Sequence, residues 1–219
     1  MAKPESSPGR ASSLAAVVLA GGLSTRLGMD KVFLELGGET LLQRAVGRLG
    51  GMFPDILVVT SEKGRKLIEG SRLGFGRKVS LITDLYPGKG SLGGIFSGLA
   101  NSPAFRNLVV ACDMPFVNPA LLAYMVQQAP GTDVVIPRLG GVLEPLHAIY
   151  SKNCLAPMKE LLDRDHLKII DLYSQVSVRY VEEGEILALD PEKLSFFNIN
   201  TAADFQRAKE LEAAFGAGD

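Results

Sequence analysis

The residues best suited to chemistry in this chain fall in two short strings. The first, AGGLSTRLGMDK, runs from Ala20 to Lys31 and sets Gly21, Gly22 and Gly28 among Ser24, Arg26 and Lys31. Glycines tolerate positive φ and let the backbone come close to a ligand, so consecutive amides can face phosphate oxygens. Arg26 can grip phosphate through a planar fork, and Lys31 supplies a compact point charge. Together they describe a cradle for a polyphosphate. The second string, ACDMPFV, spans Ala111 to Val117 and places Asp113 after an apolar run that Pro115 prevents from continuing as a strand. Magnesium is typically bound by one or two carboxylates, with water and substrate phosphates completing its octahedron. Asp113 alone therefore suffices as a Mg²⁺ ligand, although an aspartate at this place also suits an ordinary turn.

Two familiar phosphate loops are excluded by spacing. The glycine-rich string has neither G-x-G-x-x-G nor G-x-x-x-x-G-K-[ST], so a nicotinamide-binding reductase and a P-loop enzyme are both disfavoured. A third string, DLYPGKGSLGGIFSGL from Asp84 to Leu99, leads through glycines into a helix expected to begin near Leu92. The start of such a helix offers free amides and a positive dipole end to an anion or a polar base edge. Lys89 within it is expected to be solvated, as loop lysines usually are.

Positioning these strings requires an alternation of elements. Nearly all-apolar runs at Leu14 to Ala20, Ile56 to Thr60, Val79 to Thr83, Leu108 to Cys112 and Val134 to Ile136 read as strands covered on both faces. Thr40 to Leu49, Gly94 to Ala100 and Asn118 to Gln128 read as helices between them. This alternation predicts βαβ units with a mostly parallel, Rossmann-like sheet in a three-layer α/β/α sandwich. The cradle then lies at the carboxyl end of a parallel strand, where ligands of open α/β sheets bind. The second half is less regular: a strand at Leu146 to Tyr150, helices at Cys154 to Leu162 and Leu167 to Leu172, a strand at Val176 to Val181, and a last helix near Ala202 to Phe215.

Composition sets the outer limits. A chain of 219 residues with 47% hydrophobic content can bury one substantial core. Residues 1–13 read as a disordered tail, and residues 14–219 as one domain. With 23 basic and 24 acidic residues there is no basic field for nucleic acid or for an anionic membrane. Two cysteines and two histidines are too few for a disulfide framework or a Cys/His zinc site. No signal-peptide pattern and no membrane-length apolar run is present, so the expected location is the cytoplasm.

The string L-A-G-G-x-S-x-R-x-G-x-D-K at Leu19 to Lys31 resembles the signature loop of nucleotidyltransferases, and among them that of the molybdenum cofactor guanylyltransferases. The resemblance extends from Val17 to about Leu211 and implies a fold of the nucleotide-diphospho-sugar transferase type. It implies a loop wrapped around a nucleoside triphosphate, with Leu19, Ala20, Gly21 and Gly22 near the nucleotide, Lys31 on its phosphates and Arg26 as a further phosphate partner. C-D-M-P resembles the family's magnesium-binding segment, which makes Asp113 the metal ligand. Asp84 matches an aspartate set against the guanine and ribose, with Ser91 and Gly93 standing where the family has proline and alanine. After the second strand the family often has an asparagine on the nucleotide; here Thr60 or Ser61 takes that place. A hydroxyl reproduces only part of a carboxamide's hydrogen bonding, so triphosphate binding is better founded than guanine preference.

The implied reaction transfers GMP from Mg-GTP to the terminal phosphate of molybdopterin and releases pyrophosphate. The implied partners are GTP and molybdopterin, with contact to proteins that deliver the cofactor or receive it. A cytidylyltransferase on the same pterin, a transferase for another phosphorylated acceptor and a non-catalytic nucleotide binder remain as alternatives; the L-A-G-G string favours GTP over CTP, because cytidine-using relatives tend toward L-A-A-G. EPLHAIY at Glu144 to Tyr150 resembles a strand on the acceptor side of the cleft, and FFNINT at Phe196 to Thr201 an N-x-N-T segment. Asn198 and Asn200 should share a face, with one completing the metal or diphosphate environment, while Thr201 is an alternative reason for the motif as a helix cap. His147 is expected to be a hydrogen-bonded structural histidine. Lys31, as a loop lysine, is expected to be exposed.

Overall fold

In this computed structural model, residues 14–21, 31–71, 73–76 and 79–216 are described. The layers follow from the alternation within the first strand, β1 (Leu14–Leu19). Ala16 and Val18 belong to one hydrophobic cluster, and Ala15, Val17 and Leu19 to another. A strand whose successive side chains point to opposite faces can be apolar throughout only if both faces are covered.

After a 3₁₀ turn at Lys31–Phe33, a two-stranded ribbon, β2 (Glu35–Leu36) and β3 (Glu39–Thr40), leads to α1 (Leu41–Leu49). Thr40 and Gln43 form a reciprocal capping box that starts this helix. Next come β4 (Ile56–Thr60), α2 (Glu62–Gly70), β5 (Ser80–Thr83), α3 (Gly90–Asn101), β6 (Arg106–Ala111) and α4 (Pro119–Gln128). The remainder comprises β7 (Val134–Leu139), β8 (Val142–Leu143), β9 (His147–Ser151), α5 (Leu155–Asp163), β10 (Val178–Glu182), α6 (Glu183–Leu187) and α7 (Ala202–Gly216).

The sheet order is β10-β7-β9-β6-β1-β4-β5, with β8 paired to β7. β6, β1, β4 and β5 run parallel, and β10 runs parallel to β7, whereas β9 is antiparallel to both β6 and β7. The mostly parallel three-layer arrangement expected from the sequence is present. α1, α2, α4 and α6 contribute to the core on one face, α3 and α5 to the core on the other. α3 lies very close to β1: a Cβ at Gly98 would stand 2.4 Å from Val17 Cγ1, so only glycine permits this approach.

A third, smaller cluster joins Leu34, Leu36 and Leu41 to Phe116, Ile199 and Ala208, which docks α7 over the ribbon. Arg44, nearly buried on α1, binds the Glu212 carboxylate on α7 and the Leu36 carbonyl, tying the last helix to the first.

Several boundaries differ from the sequence reading for local reasons. α2 was not foreseen, because only Gly64 and Ile68 among its residues are buried and its apolar stripe is too thin to register. The segment expected to be helical at Leu167 to Leu172 is a 3₁₀ turn, Ile169–Ser174. α3 begins at Gly90, two residues before the expected start. β2, β3, β8 and α6 are each five residues or fewer, too short for periodicity to reveal.

Candidate active site

β1, β4, β5 and β6 end in register at their carboxyl termini: Leu19 pairs with Val59 and Ala111, and Thr60 with Thr83. From β1 the chain builds outward to β4 and β5, then returns to place β6 on the other side of β1. The strand order thus reverses beside β1, and a crevice opens at such a switch point. A cleft of about 750 Å³ lies there, lined by Leu19, Ala20, Gly21, Lys31, Thr60, Asp84, Asp113 and Asn200, among others. Gly22 and Arg26, with Ser24 and Gly28, lie outside the described residues.

Lys31 is not the exposed loop residue expected from the sequence. It is only 8% exposed, and its Nζ donates to Asp113 Oδ2 at 3.0 Å and to Asn200 Oδ1 at 2.8 Å. Lys31 opens the 3₁₀ turn Lys31–Phe33 and is buried there together with Val32. The three residues come from distant parts of the chain, yet the backbone also joins two of them: Ile199 N–H donates to the Asp113 carbonyl at 3.0 Å. Ile199 is fully buried in the third cluster, and this anchors the strand-like segment that presents Asn200.

The N-x-N-T segment both lines the cleft and caps the last helix. Asn200 faces the cleft, while Thr201 Oγ1 accepts from Asp204 N–H at the start of α7, and Asp204 accepts in return from Asn200 and Thr201 N–H. Asn198 instead donates to the Phe196 carbonyl of its own segment.

The donor set can be tested for a divalent cation. Asp113 and Asn200 bring two oxygen donors to one ammonium, which shows that both side chains converge on a site for positive charge. Among the described residues no group of three or more His, Cys, Asp and Glu side chains is placed to enclose a metal. One or two protein oxygens are what magnesium typically takes, with water and phosphate filling its remaining positions, so the chemistry of Asp113 and Asn200 fits such a cation.

Other groups at the rim are more constrained than expected. Asp84 Oδ1 accepts from Tyr86 N–H at 3.0 Å and Ser97 Oγ at 2.8 Å, which fixes the carboxylate at the cleft edge. Thr60 Oγ1 donates to the Ala20 carbonyl at 3.0 Å, and Ser61 Oγ caps α2 by accepting from Gly64 N–H. Lys89 is partly solvated, as expected, and pairs with the exposed Asp165 at 2.8 Å. Gly90, Ser91 and Gly94 of α3 line the cleft, and α3 has no side-chain cap, so its first amides are available to an anion or polar edge.

His147 departs from expectation. It is fully buried on β9 against the Phe196 ring, and among the described residues neither ring nitrogen has a hydrogen-bond partner. Burial pushes its pKa down to about 4, against a smaller opposing effect of Asp190. A histidine held neutral in the fold but free to protonate when unfolded stabilises the protein above its unfolded value of 6.5, and that contribution is lost as pH falls toward 4. Stability should therefore drop by roughly 2 kcal/mol between pH 7 and pH 5 through this residue. Denaturant melts of wild type and His147→Leu at both pH values check this; an equal pH dependence in the two proteins would remove His147 as the cause.

The arrangement can hold a polyanion between backbone amides, an ammonium and a carboxylate suited to a divalent cation. Asn200 was foreseen only as one of two asparagines, because strand alternation cannot say which face meets a distant lysine. The first turn of α3 was foreseen as a dipole end, but two residues too late.

Residues 16–178 match the family described as MobA-like NTP transferase domain. The chain is similar to a probable molybdenum cofactor guanylyltransferase of Pelotomaculum thermopropionicum, with 40% identity over 89% of this chain and 91% of the relative. Among solved structures it is similar to molybdopterin-guanine dinucleotide biosynthesis protein A from Archaeoglobus fulgidus, with TM-score 0.78, 29% identity, and coverage of 91% of this chain and 99% of that one. It shares its fold with a Mycobacterium tuberculosis protein solved in complex with manganese, at TM-score 0.62 and 20% identity over 92% of this chain and 100% of that one.

Proposed function

The chain belongs to the MobA-like NTP transferase family, and on that premise we propose that this nucleotidyltransferase moves GMP from Mg-GTP to the terminal phosphate of molybdopterin. The observation that carries the site assignment is the convergence of Lys31, Asp113 and Asn200 at the strand switch point. An oxygen of the acceptor phosphate attacks the α-phosphorus, the bond to the β-phosphate oxygen breaks, and pyrophosphate leaves with the electron pair. The acceptor is already an oxyanion, so no general base is required. Among the described residues the cleft lining includes no histidine.

The residues' tasks are positioning and charge compensation. Leu19, Ala20, Gly21 and Gly22, the last outside the described residues, border the nucleotide, and the first amides of α3 with Asp84 meet its base and ribose. Lys31, assisted by Arg26 from outside the described region, neutralises charge on the departing pyrophosphate. Asp113, with Asn200 beside it, would hold a magnesium ion, which when bound supplies Lewis-acid neutralisation of the phosphate oxygens. Among the described residues no helix is long and apolar enough to cross a membrane; the reading places the enzyme in the cytoplasm, alongside proteins that deliver molybdopterin or receive the product.

Thermal-shift titration with Mg²⁺ and each of GTP, CTP, ATP and UTP tests the nucleotide assignment. GTP should raise the melting temperature most, since a ligand that binds only the folded state stabilises it by mass action. Greater stabilisation by CTP would transfer the assignment to a cytidylyltransferase.

A further inference from the structure

Thr60 and Ser61, one of which was expected in place of an asparagine on the nucleotide, both line the cleft, and the hydrogen bonds of Thr60 run to its neighbouring strands. Its hydroxyl proton is directed to the Ala20 carbonyl at 3.0 Å, and its own carbonyl accepts from Asp84 N–H at 2.8 Å. Ala20, Thr60 and Asp84 all line the cleft, so this one residue joins the ends of β1, β4 and β5. The Ala20–Gly21 peptide is trans, and in a trans peptide the carbonyl and the following N–H point in opposite directions. Holding the Ala20 carbonyl toward β4 therefore turns the Gly21 N–H away from it.

The hydroxyl can take this position only because of a glycine on the next helix. A Cβ at Gly64 would stand 2.2 Å from Thr60 Oγ1, well inside contact distance. Gly64 is the third residue of α2, where its N–H donates to the capping Ser61 Oγ, and a side chain at this place would collide with the threonine hydroxyl.

We propose that Thr60 is a positioning residue, seated by Gly64, which fixes the Ala20–Gly21 peptide so that the Gly21 amide faces the bound nucleotide. This rests on the cleft being the nucleotide site. Thr60 then contributes to affinity without donating a hydrogen bond to the ligand, and base selectivity resides in the other walls of the cleft.

The test is calorimetric titration of the full chain with Mg-GTP, together with steady-state kinetics of pyrophosphate release. Thr60→Val keeps the volume and removes the hydrogen bond; Thr60→Ser keeps the hydroxyl and removes a methyl group. Thr60→Val should weaken GTP binding and raise its KM about fivefold, the loss expected for one hydrogen bond, with kcat changed less. Thr60→Ser should behave as wild type even if its melting temperature falls. Gly64→Ala should reproduce the Thr60→Val loss, yet add nothing in a Thr60→Ala background, where no hydroxyl remains to be displaced. A packing role would give the reverse order, with Thr60→Ser impaired and Thr60→Val intact, and would overturn the proposal. Equal affinity in all variants would overturn it too. Failure of the wild type to bind any of the four Mg-nucleoside triphosphates would instead reject the nucleotide site itself, and this inference with it.

Discussion

Asp113→Asn is expected to reduce metal-dependent turnover by at least about a hundredfold and to lower stability as well, because the nearly buried Lys31 ammonium loses its counter-charge. The substitution keeps the side chain's shape and an oxygen that can still accept from Lys31, whose Nζ lies 3.0 Å from Asp113 Oδ2. It removes the negative charge, which an amide oxygen does not replace as a ligand for a hard divalent cation. The discriminating measurement is the thermal shift produced by GTP with Mg²⁺ and with a chelator. Wild type should show a larger shift with the metal, and Asp113→Asn the same shift in both conditions. A retained magnesium dependence, with normal pyrophosphate release, would remove Asp113 as the metal ligand.

Lys31→Met is expected to lose both activity and stability, unlike a substitution at a solvated loop lysine. The lysine is nearly buried and serves Asp113 and Asn200 at once. Methionine fills much of the space of the stem but leaves the carboxylate, itself only 20% exposed, without its cation. A stability loss of roughly 1 to 3 kcal/mol follows from the uncompensated charge. With Lys31 in its proposed role, removing the ammonium should lower kcat by about 10² to 10³, the range found when a preorganised electrostatic partner is deleted. Denaturant melts and single-turnover pyrophosphate release measure the two effects separately. Unchanged transfer rates would reject Lys31 as the charge-compensating group, and an unchanged melt would show that its ion pair contributes nothing to the fold.

These two variants also separate what was readable in advance from what was not. Asp113 stands out in the sequence because an apolar run ends just before it and a proline follows. Lys31 stands out by its place after a glycine-rich loop. Their mutual contact, across 82 positions of sequence, and the contact of Lys31 with Asn200, across 169, do not follow from either pattern. The expectation of an exposed lysine failed because a loop's composition says nothing about the turn that folds its end inward. For His147 the failure was of the opposite kind. Its burial in an apolar strand was foreseeable, but among the described residues its ring has no hydrogen-bond partner, since hydrogen-bond satisfaction depends on neighbours from other elements.

Local physics accounts for what the sequence determined by itself. Nearly all-apolar runs at β1, β4 and β6 demanded cover on both faces and hence a mostly parallel, three-layer sheet, and glycines with a following lysine raised the expectation of a polyphosphate cradle. Tertiary structure alone decided which strand runs antiparallel, which of two asparagines meets the lysine, and where the Thr60 hydroxyl points. Those outcomes rest on strand order, helix docking and close approaches such as Gly64 to Thr60. Residue type sets which contacts a side chain is able to make, but packing between distant segments selects among them.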